Sequence, residues 1–361
     1  MQFQINQNGG GERRDYHFIF VIVPRFNLMT LITMIETLRI ANYLLPYPAF
    51  SWDILSFETQ EVSSSNGMRI SANIRLDGIE AADLIILLSS WGGEHYYNRD
   101  LISWLRKRYL HGNRICAVEL GCYLLAKAGL LSKKRATTHW SWITGFQERF
   151  DDIEINEQLF TIQDRIMTCA GGLAGIDLML KLIETSHGAS LSGEIADQML
   201  HHPIKQETDP QRRTMGQGIE TVPKIVSSAI TLIEKHIEEP MTIPEIAAKL
   251  KISQRQLERQ FKKNVGCTVV QFGLILRLQR ARVLLISTEL SVRQIATASG
   301  FNTLSHFGYS FGKYFGRRPS EYREAWPKAQ ATPSWPGTLS DFLRSLEGQK
   351  LRKNINRSLP S

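Results

Sequence analysis

Residues 114–131, RICAVELGCYLLAKAGLL, contain the first side chain that could do chemistry, Glu119. An apolar strand from Ile115 to Val118 runs directly into this acid, and an apolar helix follows at once. Many α/β proteins place a nucleophile at such a sharp strand-to-helix turn. Amide hydrolysis at that position needs a thiolate with a base in reach, which a carboxylate does not replace. Because Cys122 lies one helical turn further on, where we expect it to pack, the sequence disfavours a hydrolase.

A carboxylate at the start of a helix favours recognition over catalysis. The helix dipole and the free backbone NH groups are expected to hold Glu119 ionised, and an ionised group in a pocket favours a cationic ligand. Aromatic faces attract quaternary ammonium ions with about 0.5–2 kcal/mol per contact, and we expect several aromatic residues at the same rim. The predicted ligand site comprises Phe26, Thr30, Trp91, Gly92, Gly93, Glu119, Leu120, Tyr123, His139, Trp140 and Trp142.

Two other interpretations of these residues stay open at this point. A tryptophan packs in a core more often than it joins a ligand cage, and Glu119 could form a salt bridge with Arg135 or Arg114. The four cysteines, at positions 116, 122, 169 and 267, form no CxxC pair. We therefore expect buried reduced thiols, and neither a metal site nor a cofactor.

An internal repeat near the C-terminus suggests a second kind of chemistry. TIPEIAAKLKISQRQLERQFKKNVGCTVVQF is echoed by SVRQIATASGFNTLSHFGYSFGKYFGRRPSEY at an offset of 49 to 50 residues. Each copy reads as helix–turn–helix. The N-cap candidates are Thr242 and Ser253 in the first copy, and Ser291 and Asn302 or Thr303 in the second. One helix of about 19 residues is predicted between the copies.

The second helix of such a unit enters the major groove of DNA and presents its N-terminal residues to base edges. In the first copy, Leu257 and Phe261 are expected inside, at spacing i, i+4. The Arg and Gln side chains left outside are able to read guanine and adenine edges, and basic residues in both copies suit phosphates. The predicted DNA contacts are Gln254, Arg255, Gln256, Arg259, Lys262, Lys263, Leu304, Ser305, His306, Tyr309, Lys313, Arg317 and Arg318.

Two kinds of domain are needed to position these side chains. In residues 16–200, apolar runs such as HFIFVIV and ADLIILLSS alternate with helical segments, which predicts an α/β, doubly wound, flavodoxin-like sheet domain. Within it, LFTIQDRIMTCA predicts a hairpin that turns at Gln163-Asp164, and MRISANIRL predicts a further strand. Residues 222–326 predict an all-α double helix-turn-helix domain.

Charge and composition suggest where these domains begin and end. Lys and Arg number 21 against 24 Asp and Glu in residues 1–219, but 16 against 9 in residues 220–326 and 6 against 2 in residues 327–361. The excess of basic residues behind the net charge of +8 therefore lies in residues 220–361, which suggests a polyanionic partner for that part. The polar segment 201–221 predicts a linker, residues 1–15 a disordered N-terminus, and residues 327–361 a disordered basic tail. No apolar run approaches the ~20 residues of a membrane span, so we expect a cytoplasmic protein without membrane contact.

Residues 222–326 resemble the AraC-type DNA-binding domain through LERQFKKNVG, RLQRARVLL, IATASGF and FGKYFGRRPSEYR. The matching positions imply base contacts near Arg255, Arg259, Ser305 and Tyr309. The second helix of the second copy departs from the usual pattern of the family because it has few charged residues.

Residues 16–200 resemble the class I glutamine amidotransferase-like, PfpI-type fold through IETLRIAN, SSNGMRI, SWGGEHY, VELGCYLLAKAGLL, ATTHW and TCAGGLAGIDLMLKLI. Enzymes of that fold carry a Cys where this chain has Glu119 and an acid near the position of Thr30, whereas His139 and Gly121 match the family. Bacterial regulators of this architecture include ones for glycine betaine, carnitine and arginine catabolism. The resemblance implies a catalytic scaffold that has become a receptor.

The sequence thus predicts a ligand-responsive transcription factor, an activator, and not an enzyme. The expected partners are double-stranded promoter DNA, a small effector of cationic or quaternary ammonium character, and RNA polymerase. A homodimer is the expected assembly, and the DNA-bound protein is expected at the bacterial nucleoid. Two alternatives are an amidase or deglycase tethered to DNA, and a ligand-independent DNA-binding regulator with a structural sheet domain.

Overall fold

The computed structural model describes residues 15–74, 82–211 and 223–325. The chain divides into two compact units, one that ends at Gln211 and one that begins at Arg212. The disorder predicted for residues 1–15 and 327–361 lies, apart from Asp15, outside the described residues. The first unit contains β1 (Tyr16–Ile22), α1 (Leu28–Leu44), β2 (Phe50–Leu55), β3 (Glu61–Ser63), β4 (Arg69–Ser71), β5 (Leu84–Ser89), α2 (Arg99–Leu110), β6 (Arg114–Glu119), α3 (Gly121–Lys127), β7 (Arg135–Thr137), a 3₁₀ turn (Trp140–Trp142), α4 (Ile143–Gln147), β8 (Glu154–Asn156), β9 (Phe160–Gln163), β10 (Ile166–Cys169), α5 (Ala174–His187) and α6 (Ala189–Gln198).

Six strands form the main sheet, in the order β2-β1-β5-β6-β10-β9. All neighbours are parallel except β9, which runs antiparallel to β10. Alternate residues of β1 enter two different cores: Phe18 and Phe20 pack with α1, α5 and α6, whereas Ile19 and Val21 pack with α2 and α3. Because helices cover both faces, the strand is apolar without alternation. The predicted doubly wound α/β fold is confirmed.

Two shorter predictions have different outcomes. The hairpin is confirmed, since Ile166 pairs with Gln163 and Asp164 takes the left-handed conformation that the tight turn needs, with φ of 49°. The strand expected over MRISANIRL is reduced to β4, which pairs only with β3 in a separate two-stranded ribbon. Among the described residues of this segment, Ile74 forms an isolated bridge to Leu55 of the main sheet.

The first half of the predicted linker is corrected, because residues 201–211 pack on the sheet domain. His201 Nε2 lies 2.8 Å from Asp177 Oδ1, the carbonyl of Glu207 accepts a hydrogen bond from the backbone NH of Leu159, and Pro210 bridges to Gln158. Polar residues here bind polar groups of the domain, so a polar composition did not indicate a free chain. Residues 212–222 of the predicted linker lie outside the described part.

The second unit is helical and has two apolar cores joined by one long helix. The first core includes Leu257, Phe261 and Phe272, and the second includes Phe307 and Phe311. The long helix has 19 residues, as predicted, and contributes side chains to both cores. The helices are α7 (Lys224–Lys235), α8 (Ile243–Lys249), α9 (Gln254–Val265), α10 (Val269–Ser287), α11 (Val292–Ala298), α12 (Leu304–Phe315) and α13 (Pro319–Ala325).

The two copies of the repeat form α8–α9 and α11–α12, with the helix ends that the sequence predicts. Thr242 and Ser291 form capping boxes at α8 and α11, and the side chains of Ser253 and Thr303 cap α9 and α12. Both second helices have 12 residues and end at a glycine in the left-handed conformation. The duplication in sequence is therefore a duplication of structure.

Candidate functional site

The turn at Glu119 has the tight backbone geometry expected of a strand-to-helix elbow. Glu119 is the last residue of β6, pairs with Ser89 of β5 and has a φ of 51°. Non-glycine residues adopt this conformation rarely, and they do so mostly where function or packing enforces it. A Cβ at Gly121 would lie 2.6 Å from the carbonyl oxygen of Leu87, so only glycine fits at the start of α3.

The carboxyl group of Glu119 is held by neutral donors from three parts of the sheet domain. Oε1 accepts hydrogen bonds from Asn27 Nδ2 at 2.7 Å, from Thr30 Oγ1 at 3.3 Å and from the backbone NH of Gly172 at 3.3 Å. Ser90 supplies a further side-chain hydrogen bond. We call these five residues, with Thr138, whose Oγ1 donates to the Glu119 carbonyl at 2.7 Å, the elbow cluster.

This geometry corrects the expectation that the Glu119 carboxylate faces an accessible crevice. The Glu119 side chain is only 6% exposed, and burial raises the pKa of its carboxyl above the ordinary value, against the smaller opposing effect of the Ser90 and Asn27 hydrogen bonds. The salt bridge considered for Glu119 is not formed either: Arg114 begins the strand that Glu119 ends, and Arg135 is exposed at the start of β7. Glu119 therefore ties α1 to the turn before α5.

The residues that could support hydrolysis are not arranged for it. Cys122 is fully buried, its Sγ donates to the carbonyl of Thr137 at 2.7 Å, and burial raises the pKa of its thiol. The Nδ1 atom of His139 lies 2.7 Å from Ser141 Oγ, and burial lowers the pKa of His139 to about 4. All four cysteines are buried reduced thiols. A neutral thiol with no base in contact is a poor nucleophile.

The aromatic rim predicted around Glu119 is corrected for three of its five members. Phe26 and Tyr123 are completely buried and Trp142 is 5% exposed. The Tyr123 ring packs edge-on against Trp142, with 6.4 Å between ring centroids, as part of the core below α3. Apolar rings at these positions gain more from core burial than from facing a polar crevice.

Trp91 and Trp140 remain beside the elbow cluster. Trp91 is 44% exposed and follows Ser90 directly, whereas Trp140 is half-buried and lies two residues beyond Thr138. The other predicted ligand residues occupy structural positions: Leu120 and Thr30 are buried, Gly92 has a φ of 89°, and a Cβ at Gly93 would lie 2.1 Å from Ser89 Oγ. The glycines let the loop after β5 pass close to the elbow.

The second candidate site is the exposed face of α9. The predicted pattern is confirmed, since Leu257 and Phe261 are buried while Arg255 and Arg259 are exposed. The other predicted contacts on this helix are also at the surface, with Gln256 partly covered: Gln254, Gln256, Lys262 and Lys263. Arginine and glutamine at the N-terminal end and lysine at the C-terminal end are suited to base edges and phosphates respectively.

The matching face of α12 is exposed but carries less charge. Leu304 and Tyr309 are 43% and 68% exposed, and the Lys313 Nζ atom lies 5.5 Å from the centre of the Tyr309 ring. Ser305, His306, Arg317 and Arg318 are exposed as well. The cation–π contact holds Tyr309 and Lys313 on one face, one helical turn apart.

Comparisons with known proteins agree with both halves of this structure. Residues 18–185 match the model of the DJ-1/PfpI family, and residues 246–325 match a model described as a helix-turn-helix domain. The HTH-type transcriptional regulator CdhR from Pseudomonas aeruginosa is 34% identical over 320 residues, which cover 89% of this chain and 95% of that protein. The chain belongs to the AraC-type transcriptional regulators with a DJ-1/PfpI domain.

A second relative of this AraC-type regulator also spans both domains. The HTH-type transcriptional regulator GlxA from Rhizobium meliloti is 29% identical over 308 residues, covering 84% of this chain and 94% of that protein. A crystal structure of an AraC family transcriptional regulator from Pseudomonas putida has a TM-score of 0.47 and 20% identity, covering 51% of this chain and 99% of that chain.

The AraC-type regulator is a DNA-binding protein and not an enzyme, as the sequence predicts. Among the described residues, no helix is both long and apolar enough to cross a membrane. Within the same ranges, no three His, Cys, Asp or Glu side chains are grouped so that they could hold a metal ion.

Sequence reasoning missed a buried acid in the loop after β5 of the regulator. Glu94 is 3% exposed, and burial raises the pKa of its carboxyl to about 7. Lys127 Nζ donates to the carbonyls of Glu94 and Tyr96, and burial lowers its pKa to about 8. Arg149 donates to the Glu94 carbonyl at 2.9 Å. The loop that carries Trp91 is thus anchored at its far end, which a sequence pattern alone does not reveal.

Sequence reasoning also missed Gln211, the last residue of the sheet domain. Its Nε2 atom lies within 2.9 Å of Thr137 Oγ1 and of the carbonyls of Thr138 and Gln158. Its Oε1 atom accepts a hydrogen bond from the backbone NH of Trp140 at 2.7 Å. Thr138 in turn donates to Glu119. A continuous set of hydrogen bonds therefore joins the elbow cluster to the residue at which the chain leaves this domain.

Proposed function

We propose that this regulator controls transcription in response to a small molecule bound beside the elbow cluster. The observation that carries the proposal is the hydrogen bonding of Gln211 to Thr138 and Trp140. A ligand that moves the Trp140 backbone would disturb the exit of the chain from the sheet domain. Loops beyond the carboxyl ends of parallel strands are also where open α/β sheets bind ligands.

The ligand we propose is cationic or carries a quaternary ammonium group, and it contacts Trp91 and Trp140 rather than Glu119. Trp91 directly follows Ser90, which hydrogen-bonds to Glu119, and it is substantially exposed. Trp140 lies two residues beyond Thr138, which donates to the Glu119 carbonyl. An aromatic face binds a quaternary ammonium ion without needing an opposite charge. The buried Glu119 then acts as a fixed support for the site, because its partners Ser90 and Thr138 lie within two residues of the tryptophans.

The proposal predicts binding from a short panel: glycine betaine, carnitine and L-arginine. One of them should raise the melting temperature of the full chain, with calorimetry giving its Kd. Trp91→Ala and Trp140→Ala should each weaken that binding roughly 2- to 30-fold, as expected for the loss of one cation–π contact. Tyr43→Ala is the control, because Tyr43 is exposed at the far end of α1.

Absence of binding across the panel would refute the cationic ligand. It would favour a ligand-independent regulator. The supporting observation is that the Glu119 side chain is itself buried and hydrogen-bonded at the turn. Binding that both tryptophan variants retain at full strength would place the ligand elsewhere.

For DNA, we propose that Arg255 and Arg259 read bases, with Lys262 and Lys263 on phosphates. Arg255→Ala is expected to weaken binding to the preferred operator, selected from random sequences by the wild type, by ~1–3 kcal/mol, with a much smaller effect on unrelated DNA. Lys263→Ala is the matched control, since a phosphate contact should weaken both DNAs alike and reduce the salt slope by about one. Fluorescence anisotropy at several salt concentrations measures both, and an equal loss on both DNAs for Arg255→Ala would contradict base reading.

The proposal further includes a homodimer that activates transcription in contact with RNA polymerase. Two copies of the tandem helix-turn-helix domain would read a pseudo-symmetric operator, which matches the usual two-fold symmetry of such assemblies. Ligand binding would then change the affinity of the dimer for that operator. Sedimentation of the full chain with and without DNA tests the assembly, and transcription from the operator in vitro tests activation.

A further inference from the structure

The two copies of the repeat carry different side chains at equivalent positions of α9 and α12. An offset of 50 residues aligns the two buried core pairs, Leu257 and Phe261 in α9 with Phe307 and Phe311 in α12. At the same offset, the exposed residues that correspond are Gln254 and Leu304, Arg255 and Ser305, and Arg259 and Tyr309. The apolar core is thus retained between the copies, whereas the outer face is replaced.

The two helices begin in the same way, so Leu304 occupies the place in α12 that Gln254 occupies in α9. The side-chain oxygens of Ser253 and Thr303 each accept a hydrogen bond of 3.2 Å from the backbone NH three residues later. In both helices the residue after the cap is at the surface, and Leu304 is 43% exposed. A single exposed leucine is ordinary on a protein surface, but this one replaces an amide at the end of the helix that faces base edges.

The two faces differ in the bases that they can recognise. Arginine and glutamine bind guanine and adenine by paired hydrogen bonds, and α9 carries both at its N-terminal end. In α12 the first lysine or arginine is Lys313, in the last turn. The side chain of Leu304 has no hydrogen-bonding group, so the base-edge group that it can recognise is the 5-methyl group of thymine.

We propose that α12 recognises thymine, through contact of the Leu304 side chain with a thymine 5-methyl group in the major groove. The inference rests on the proposed function, in which this domain reads an operator, and it assigns a base to the second unit. The operator of one chain would then have two unlike parts. One part is specified by guanine or adenine at α9, and the other by thymine at α12.

Replacing single thymines of the selected operator with uracil tests the contact, because uracil lacks the 5-methyl group and pairs with adenine in the same way. Fluorescence anisotropy with the full chain should show a loss of affinity of about 3- to 10-fold at one or two thymines, as expected when one buried methyl group is removed. In Leu304→Ala the same replacement should cost less than about twofold. Val270→Ala is the matched control, since Val270 is an apolar side chain on α10 that is 59% exposed, and it should keep the full loss.

Two further variants separate an apolar contact from a requirement for side-chain size. Methionine and glutamine have similar length and shape, but only methionine offers an apolar surface to a methyl group. Leu304→Met should therefore keep the sensitivity to uracil, and Leu304→Gln should lose it. Because Leu304 lies at the surface, all three Leu304 variants should retain the melting temperature of the wild type, which separates a lost contact from a lost fold.

No loss at any thymine, or the same losses in the wild type, Leu304→Ala and Leu304→Gln, would overturn the proposal. Arg255→Ala distinguishes this result from a failure of the proposed function. If Arg255→Ala still weakens binding to the operator selectively, base reading by α9 stands and only the role of Leu304 is refuted. If neither residue discriminates between bases, the reading of DNA proposed for both helices is refuted.

Discussion

Replacing Gly171 with alanine is expected to lower the free energy of unfolding of the sheet domain by about 2–4 kcal/mol. A Cβ there would lie 2.0 Å from Cγ of Glu119, so the buried glutamate would have to leave its hydrogen bonds. The φ of 85° adds the usual strain of a side chain in a glycine conformation, about 1–2 kcal/mol. Denaturation monitored through tryptophan fluorescence measures the change. Five of the seven tryptophans, at 52, 91, 104, 140 and 142, lie in this domain.

A double-mutant cycle separates the clash from the strain. In a Glu119→Ala background the clashing atoms are gone, so Gly171→Ala should cost only about 1–2 kcal/mol. Gly112→Ala is the matched control, because Gly112 has a similar φ of 93° and no atom within 4 Å of the added Cβ. Equal costs in the two Glu119 backgrounds would show that Glu119 does not occupy the space over Gly171.

The second large effect is expected at the turn between α11 and α12. Gly300→Ala should destabilise the second helix-turn-helix unit by about 2–4 kcal/mol, because its Cβ would lie 2.2 Å from the carbonyl oxygen of Ile237 and its φ is 73°. Hydrogen exchange of residues 291–315 reports the loss locally, and operator binding should fall with it.

The internal repeat supplies the control for this variant. Lys251 is the counterpart of Gly300, 49 residues earlier, and already takes a φ of 55° as a non-glycine residue. Lys251→Ala should therefore change the stability of the first unit by less than about 0.5 kcal/mol. Gly316→Ala adds a Cβ at a similar φ of 78° with no atom within 4 Å, so a cost equal to that of Gly300→Ala would show that backbone conformation and not the approach of Ile237 is the cause.

The helical domain could be predicted from sequence almost element by element, because its signals are local. Capping residues such as Ser253 and Ser291, and glycines such as Gly266 and Gly316, mark helix ends within a few residues of the bonds they make. Because the sequence is repeated, each of these patterns occurs twice. The exposed face of α9 could be predicted from the 3.6-residue helical period once Leu257 and Phe261 were assigned to the core.

The elbow could be located from sequence, but its chemistry could not be derived. The strand-to-helix pattern placed Glu119 correctly, whereas the donors on its carboxyl come from Asn27 and Gly172, 92 and 53 residues away along the chain. The burial of Tyr123 and Trp142 could not be predicted for the same reason, because it also depends on residues distant in sequence. Contacts of this kind depend on how helices close over the sheet, and no short-range pattern encodes them.

The attachment of residues 201–211 also decides where this protein can be cut or recombined. A chimera joined at residue 200 would remove Gln211 and leave Thr137, Thr138 and the Trp140 backbone without their partner, and it would expose Asp177 by removing His201. A junction placed after Gln211 keeps these bonds. Any natural exchange of helix-turn-helix domains between such regulators would therefore have to carry the eleven residues 201–211 along with the sheet domain.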